Sequence, residues 1–191
     1  MRSSMINNES NVGKWDAWYK ELPSAPSSFR YSDTPTYKMA ADFLSDCVTV
    51  EDWGVGGGGF LNHRPDAIGV DGSNTPFAQK TYIDLCNYIS SCEGVNMRHV
   101  LEHNINWKDI LHNAFKSATK KICITLFIEL TSGETKEIAH NLKHGVDVPD
   151  LALSESEFMN IIQSYNPSHY TVESLSTRTG YGRESVYFIT L

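Results

Sequence analysis

The sequence contains no apolar run approaching the ~20 residues that a membrane-crossing helix needs, and its first residues, MRSSMINNESN, lack the apolar centre of a signal peptide. Both absences predict a chain that stays in the cytoplasm and has no membrane partner. Positive charge is also scarce: 16 Lys and Arg stand against 23 Asp and Glu, a net charge of −7. Such a surface repels a phosphate backbone, and the one basic cluster, Lys116 to Lys121, falls in a helix and the loop after it, which argues against nucleic acid as a partner. The four cysteines, Cys47, Cys86, Cys92 and Cys123, form no CxxC pair, and three of them lie in or beside apolar strand-like segments, so they read as reduced core thiols. No repeat or low-complexity segment is present. What remains is a globular composition: 191 residues, 40% hydrophobic and 20% charged, enough for one domain with a real core.

The chain is organised around CVTVEDWGVGGGGF, Cys47 to Phe60. Val48, Val50 and Trp53 predict a buried strand running straight into a glycine-rich turn. Gly54, Gly56 and Gly58 alternate in that turn, as suits backbone that takes positive φ or lies against a ligand with no Cβ between. In an open α/β sheet, a loop at the carboxyl end of the first strand is where nucleotides bind. A second short apolar strand follows in AIGVDGS, Ala67 to Ser73, and ends in Asp71 with Gly72 beside it. An acid about 20 positions beyond the first glycines can accept hydrogen bonds from both hydroxyls of a ribose. The bland reading of the glycines alone is a flexible turn.

Helical spacing predicts helices over Thr34 to Asp46, with Thr34 as cap and Pro35 in the first turn, over Trp107 to Ala118, and over Ser154 to Tyr165 with a Ser154/Glu157 capping box. Gly94 to Val100 and the nearly continuous apolar stretch Lys120 to Leu130 read as strands of a parallel sheet. His169 to Ser176 and Ser185 to Leu191, joined by TRTGYGRE, read as a closing antiparallel pair, and 131–153 as a long excursion. Thr81 to Ser90 fits either a helix or a third strand ending in Asp84. These patterns predict an α/β fold, Rossmann-like and doubly wound, with a mostly parallel sheet spanning 34–191. Residues 1–33 form an amino-terminal extension, whose Trp15, Trp18, Tyr19, Phe29 and Tyr31 pack on the sheet edge or close over a substrate as a lid. In the second case Arg30 and Tyr31 would hold a polar ring such as a sugar.

DWGVGGG (Asp52 to Gly58), GVD (Gly69 to Asp71) and NMRHVLEHNINWKDIL (Asn96 to Leu111) resemble, in that order, the first motif, the ribose acid and the fourth-strand region of the class I S-adenosylmethionine-dependent methyltransferases. The resemblance covers the chain from about residue 38 to its end. Two features depart from it. The full helix that normally follows the glycine loop has only FLNHRPD to form it, and Pro65 breaks that stretch. Glu51 also stands beside Asp52, so strand alternation decides which acid faces the cofactor, and Asp52 is the choice. The resemblance implies S-adenosyl-L-methionine as cofactor and S-adenosyl-L-homocysteine as product, with Asp84 reading the adenine amino group if it ends the third strand.

Methyl transfer from a sulfonium to a hydroxyl needs alignment and a base. Arg98, His99, Glu102 and His103 crowd the end of the fourth strand. His99 is the preferred base, with Glu102 or His103 as the fallback; in the family the position of His103 often shapes the loop instead. Arg98 is a candidate to orient a polar substrate. MRHVLEHNINW is also similar to methyltransferase modules found beside glycosyltransferases in surface-glycan pathways, which implies a larger polypeptide and a small-molecule or glycan acceptor, a sugar hydroxyl of a deoxyhexose such as rhamnose. Some sugar methyltransferases use a divalent metal, for which nothing here specifies a site. Three other readings stand beside this one: a methyltransferase of another metabolite or of protein, a catalytically silent cofactor-binding module, and a zinc hydrolase. The last takes HVLEH as an HxxEH helix with two metal-binding histidines. His140 and His144, also four apart, read as surface residues.

Overall fold

The computed structural model of the chain describes residues 10–29 and 31–191; the expectation for Arg30 lies outside the described residues. Six strands form the main sheet. Four of them, β1 (Val50–Trp53), β2 (Ile68–Val70), β3 (Cys92–Arg98) and β4 (Ala118–Leu126), run parallel, and β7 (His169–Ser176) and β8 (Arg183–Thr190) close it as an antiparallel pair, in the order β2-β1-β3-β4-β8-β7. Helices α3 (Trp107–Ser117) and α4 (Glu155–Ser164) cover one face, where Trp53, Met97, Ile122 and Ile124 pack against Ile110, Leu111 and Phe158. Helix α2 (Pro35–Phe43) covers the other, where Tyr37, Ala40 and Leu44 meet Val50, Cys123, Val186 and Phe188. The period-2 alternation of each strand sends successive side chains to these two layers.

Several local expectations are corrected. Val48 is 77% exposed, because the first strand begins at Val50. Thr81 to Ser90 forms neither helix nor strand: Tyr82 sits at φ 55, which no strand or right-handed helix accommodates, and the would-be third strand is reduced to a single parallel bridge between Lys80 and Val70. No helix joins β1 to β2, in keeping with the shortness of FLNHRPD. Neither Thr34 nor Ser154 caps its helix through its side chain; the Ser154 hydroxyl lies 3.1 Å from that of Ser156, and Glu157 turns outward to Lys108 at 2.5 Å. The excursion 131–153 contains a hairpin of its own, β5 (Lys136–Asn141) and β6 (Val148–Ala152), which forms a separate antiparallel sheet. The extension contains the short helix α1 (Asp16–Tyr19).

Candidate active site

The turn after β1 takes the shape its glycines allow. Gly54, Gly56 and Gly58 all have positive φ, at 74, 48 and 73°. Gly54 also lies under Val100, where an added Cβ would come within 2.5 Å of Val100 Cγ2. The turn therefore hugs the end of β3, and the Gly56 N–H points back to Asp71, donating to Oδ2 at 3.0 Å. The second carboxylate oxygen accepts from the Ser73 N–H at 2.9 Å. Burial pushes the Asp71 carboxyl up to about 6, while the Gly56 and Ser73 amides and the Tyr19 hydroxyl pull it back.

These residues open onto a cavity of about 790 Å³ at the carboxyl ends of β1, β2 and β3. Gly54, Gly56, Asp71, Gly72 and Asp84 line one end of it, and Arg98, His99 and His103 the other. Three of the sequence candidates do not reach it. Gly58 turns under Phe77, whose Cγ would lie 2.7 Å from an added Cβ. Asp52 faces the sheet interior, where the Asn96 amide donates to it at 2.7 Å, and burial raises its carboxyl to about 7. Its neighbour Glu51 points to the opposite face, into a network with Lys80 at 2.7 Å, Trp53 Nε1 at 2.8 Å and Ser90 at 2.7 Å. Glu102 is fully buried and accepts from the Phe127 N–H at 2.6 Å, tying the loop after β3 to the end of β4; burial takes it up to about 7. Asp84 is on the cavity wall but in a turn, its carboxylate accepting from the Cys86 N–H at 3.1 Å and the Asn87 amide at 2.9 Å.

At the far end, a buried acid that the sequence reading passed over organises the residues that follow β3. Glu184, 1% exposed, receives Arg98 at 2.5 Å, Thr36 at 2.6 Å and Thr179 at 2.7 Å. Burial alone would raise its carboxyl, but His99, Arg98 and Thr36 outweigh that and hold it down to about 2. Arg98 is further fixed by stacking on Tyr37, 4.2 Å from its ring centroid. His99 has Nε2 2.9 Å from the same carboxylate, a contact not aligned as a hydrogen bond. Burial and the adjacent Arg98 charge drive its imidazole down to about 3, so it is neutral and a weak proton acceptor. The one sequence signal for Glu184 is an acid entering an apolar strand, RESVYFIT, and only its pairing partners reveal what it holds.

His103 is built differently. Its Nδ1 lies 3.1 Å from the Pro149 carbonyl, which only accepts, so Nδ1 carries the proton. Nε2 is left as the ring's acceptor. Trp15 and Phe127 flank the ring, each with its centroid at 5.3 Å. HVLEH is not a metal-binding helix: His99 follows β3 at φ 57, a 3₁₀ turn begins only at Leu101, and Glu102 is spent on Phe127. Among the described residues no group of three or more His, Cys, Asp or Glu side chains is placed so that it could hold a metal ion. His140 is exposed and pairs with Glu137 at 2.7 Å and Asp147 at 2.6 Å; the His144 side chain lies outside the description.

The extension lines part of the cavity and is tied to the end of β2. Gly13 N–H donates to the Gly72 carbonyl at 2.8 Å, Trp15 N–H to Ser73 Oγ at 3.0 Å, and the Tyr19 hydroxyl reaches Asp71 at 3.4 Å. Trp15, Trp18, Phe29 and Tyr31 add aromatic surface to the wall.

No family model matches this sequence, and no curated protein does. Solved structures share its architecture. The amino-terminal domain of EvdMO1, with S-adenosylhomocysteine and D-fucose, is 10% identical and aligns over 83% of each chain at a TM-score of 0.53. The 1,6-didemethyltoxoflavin N1-methyltransferase of Burkholderia thailandensis is 14% identical over 83% of this chain and 77% of that one, with a TM-score of 0.59. The magnesium protoporphyrin IX methyltransferase ChlM of Synechocystis is 13% identical over 84% of each, also at 0.59. The fold is that of the class I methyltransferases. Strand β3 stands where the sequence placed the fourth strand, β4 is the apolar strand expected over Lys120 to Leu130, and the third is reduced to the Lys80 bridge.

Proposed function

We propose that the chain is an S-adenosylmethionine-dependent O-methyltransferase acting on a small polar acceptor, a sugar hydroxyl of the deoxyhexose type. The observation that carries this reading is the convergence of the glycine turn and the buried Asp71 on one cavity that continues to a histidine with a free acceptor nitrogen. The residues fit the cofactor. Gly54 and Gly56 leave the floor without side chains, Asp71 offers a buried carboxylate for ribose hydroxyls, and Ile83 and Leu85 give the same end an apolar wall for a base. When bound, S-adenosylmethionine supplies a methyl group on a positive sulfur, whose transfer to a hydroxyl leaves a neutral thioether and one proton to be removed.

That proton is the task left to the chain. His103 fits it better than His99, because Nδ1–H is committed to Pro149 and Nε2 is the ring's acceptor, whereas His99 is buried beside Arg98 and pushed down to about 3. Arg98, already neutralised by Glu184, positions rather than reacts. The aromatic side chains at the mouth suit the apolar face of a sugar ring, and Thr179 and Asp150 offer polar groups beside them. The S-adenosylhomocysteine and D-fucose in the EvdMO1 domain support a sugar-sized acceptor in this fold. Calorimetric titration with S-adenosylmethionine and S-adenosylhomocysteine, with and without chelator, is expected to give micromolar, chelator-indifferent binding. Methyl transfer to methyl rhamnoside or D-fucose should then be detectable by mass. A chain that binds neither cofactor form would overturn the reading, and binding without transfer to any sugar would overturn its acceptor.

A further inference from the structure

The environment of His103 contains a second acid, contributed by the inserted hairpin. Asp150 lies on β6, 47 positions from His103, and its Oδ1 is 3.2 Å from His103 Nδ1. That oxygen is buried and forms no hydrogen bond of its own, since the ring N–H is aligned on the neighbouring Pro149 carbonyl. Its second oxygen accepts from the Tyr181 hydroxyl at 2.8 Å, which comes from the turn between β7 and β8. Both Asp150 and Tyr181 line the cavity. Burial pushes the Asp150 carboxyl up, but the contacts to His103 and Tyr181 outweigh it and hold the group below its ordinary value. A carboxylate therefore stands beside the protonated nitrogen of an imidazole whose other nitrogen carries no proton.

We propose that Asp150 is the positioning residue that reinforces the Nδ1–H form set by the Pro149 carbonyl and stabilises the positive ring when Nε2 takes the acceptor's proton, with Tyr181 fixing the carboxylate. The physics is that of a buried acid behind a histidine base: it selects the tautomer and stabilises the imidazolium without itself taking the proton. Other charged groups around the ring do not substitute for it. Glu102 is turned to Phe127, His99 is neutral, and His140 is engaged by Glu137 and Asp147. The hairpin that looked like an excursion thus completes the acceptor end of the site. This inference deepens the proposed function and rests on it.

The test uses the full chain and two readouts. Imidazole nitrogen NMR of the wild type, assigned with His103→Gln, is expected to show a protonated Nδ1 and a bare Nε2. In Asp150→Asn the Nδ1–H form should lose population, because the charge is gone and the new amide can donate to Nδ1; Asp147→Asn should leave the signal unchanged. A proton on Nε2 in the wild type, or a tautomer indifferent to Asp150→Asn, would overturn the proposal regardless of acceptor. With a sugar acceptor, Asp150→Asn should lower kcat by ~10² or more while cofactor affinity stays unchanged, and the double variant with His103→Gln should turn over no more slowly than His103→Gln alone. Additive losses in that cycle would assign Asp150 to folding instead. Failure of the wild type to bind S-adenosylmethionine would sink the enzymatic reading beneath it, a result calorimetry reports separately.

Discussion

The two ends of the cavity are assembled in opposite ways. The glycine end comes mainly from one short stretch, residues 54 to 73, in which a turn and a strand tip fold onto each other, and its central carboxylate, Asp71, accepts from two backbone amides of that stretch and from the Tyr19 hydroxyl of the extension. The histidine end draws on the extension, the loop after β3, the hairpin of β5 and β6, and the turn before β8, and the contacts His103–Asp150, Tyr181–Asp150, Arg98–Glu184 and Thr36–Glu184 join side chains 31 to 148 positions apart. In the proposed function the first end holds the cofactor and the second the acceptor.

The contrast can be broken first at Glu184. Replacing it by Gln removes the buried counter-charge of Arg98 and should cost about 3–5 kcal/mol of stability, read by urea denaturation. Its carboxyl is held down from 4.5 to about 2, so its contribution is present above pH 4.5 and lost as pH falls toward 2. A variant as stable as the wild type would show the cluster is not a structural keystone of this end. Next, His103→Gln should reduce kcat by ~10²–10⁴ with cofactor affinity intact, while His99→Ala should have the smaller effect on turnover. If the order of the two histidines came out reversed, His99 would return as the base.

At the other end the effects are on binding. Asp71→Ala should weaken S-adenosylmethionine by about 1.5–3 kcal/mol, the worth of a hydrogen bond to a charged group; calorimetry showing equal affinity would remove Asp71 from the site. The smallest effect is a pH dependence. Because burial takes Asp71 up to about 6, cofactor affinity should fall as pH drops below that point, by at most about tenfold per unit, and Asp71→Asn should flatten the slope. A slope that persists in the variant would point to another group, Asp52 at about 7 being the first to examine.

Much of the glycine end was legible because each residue's role followed from its neighbours. Gly54 and Gly56 had to take positive φ to turn the chain, and Asp71 had to end a strand that could only lie beside the first. Asp52 shows the limit: alternation correctly separated it from Glu51, but which face meets the cavity depended on how β1 sits between β2 and β3, and Asn96 on β3 took its carboxylate. Glu102 was misplaced for a related reason. Its motif neighbours reach the cavity, but the 3₁₀ turn from Leu101 to His103 rotates it inward to the Phe127 amide. Asp150, Tyr181 and Glu184 carried no motif at all, since an isolated acid or tyrosine acquires meaning only from what it touches.

The apolar pattern of this chain was enough to place the strands of the main sheet and helices α2 to α4 and to suggest a mostly parallel sheet, because burial on both faces makes a central strand a near-continuous apolar run and burial on one face gives a helix a 3.6-residue period. The glycine turn belongs with them, being a backbone requirement written in residue type. Only tertiary structure decided that the third strand collapses to one bridge, that the excursion becomes a hairpin lining the cavity, and that His103 is held by the Pro149 carbonyl while His99 is buried beside Arg98 and the Glu184 carboxylate. Those outcomes depend on which partners arrive from distant segments, and on the burial they impose, neither of which local sequence encodes.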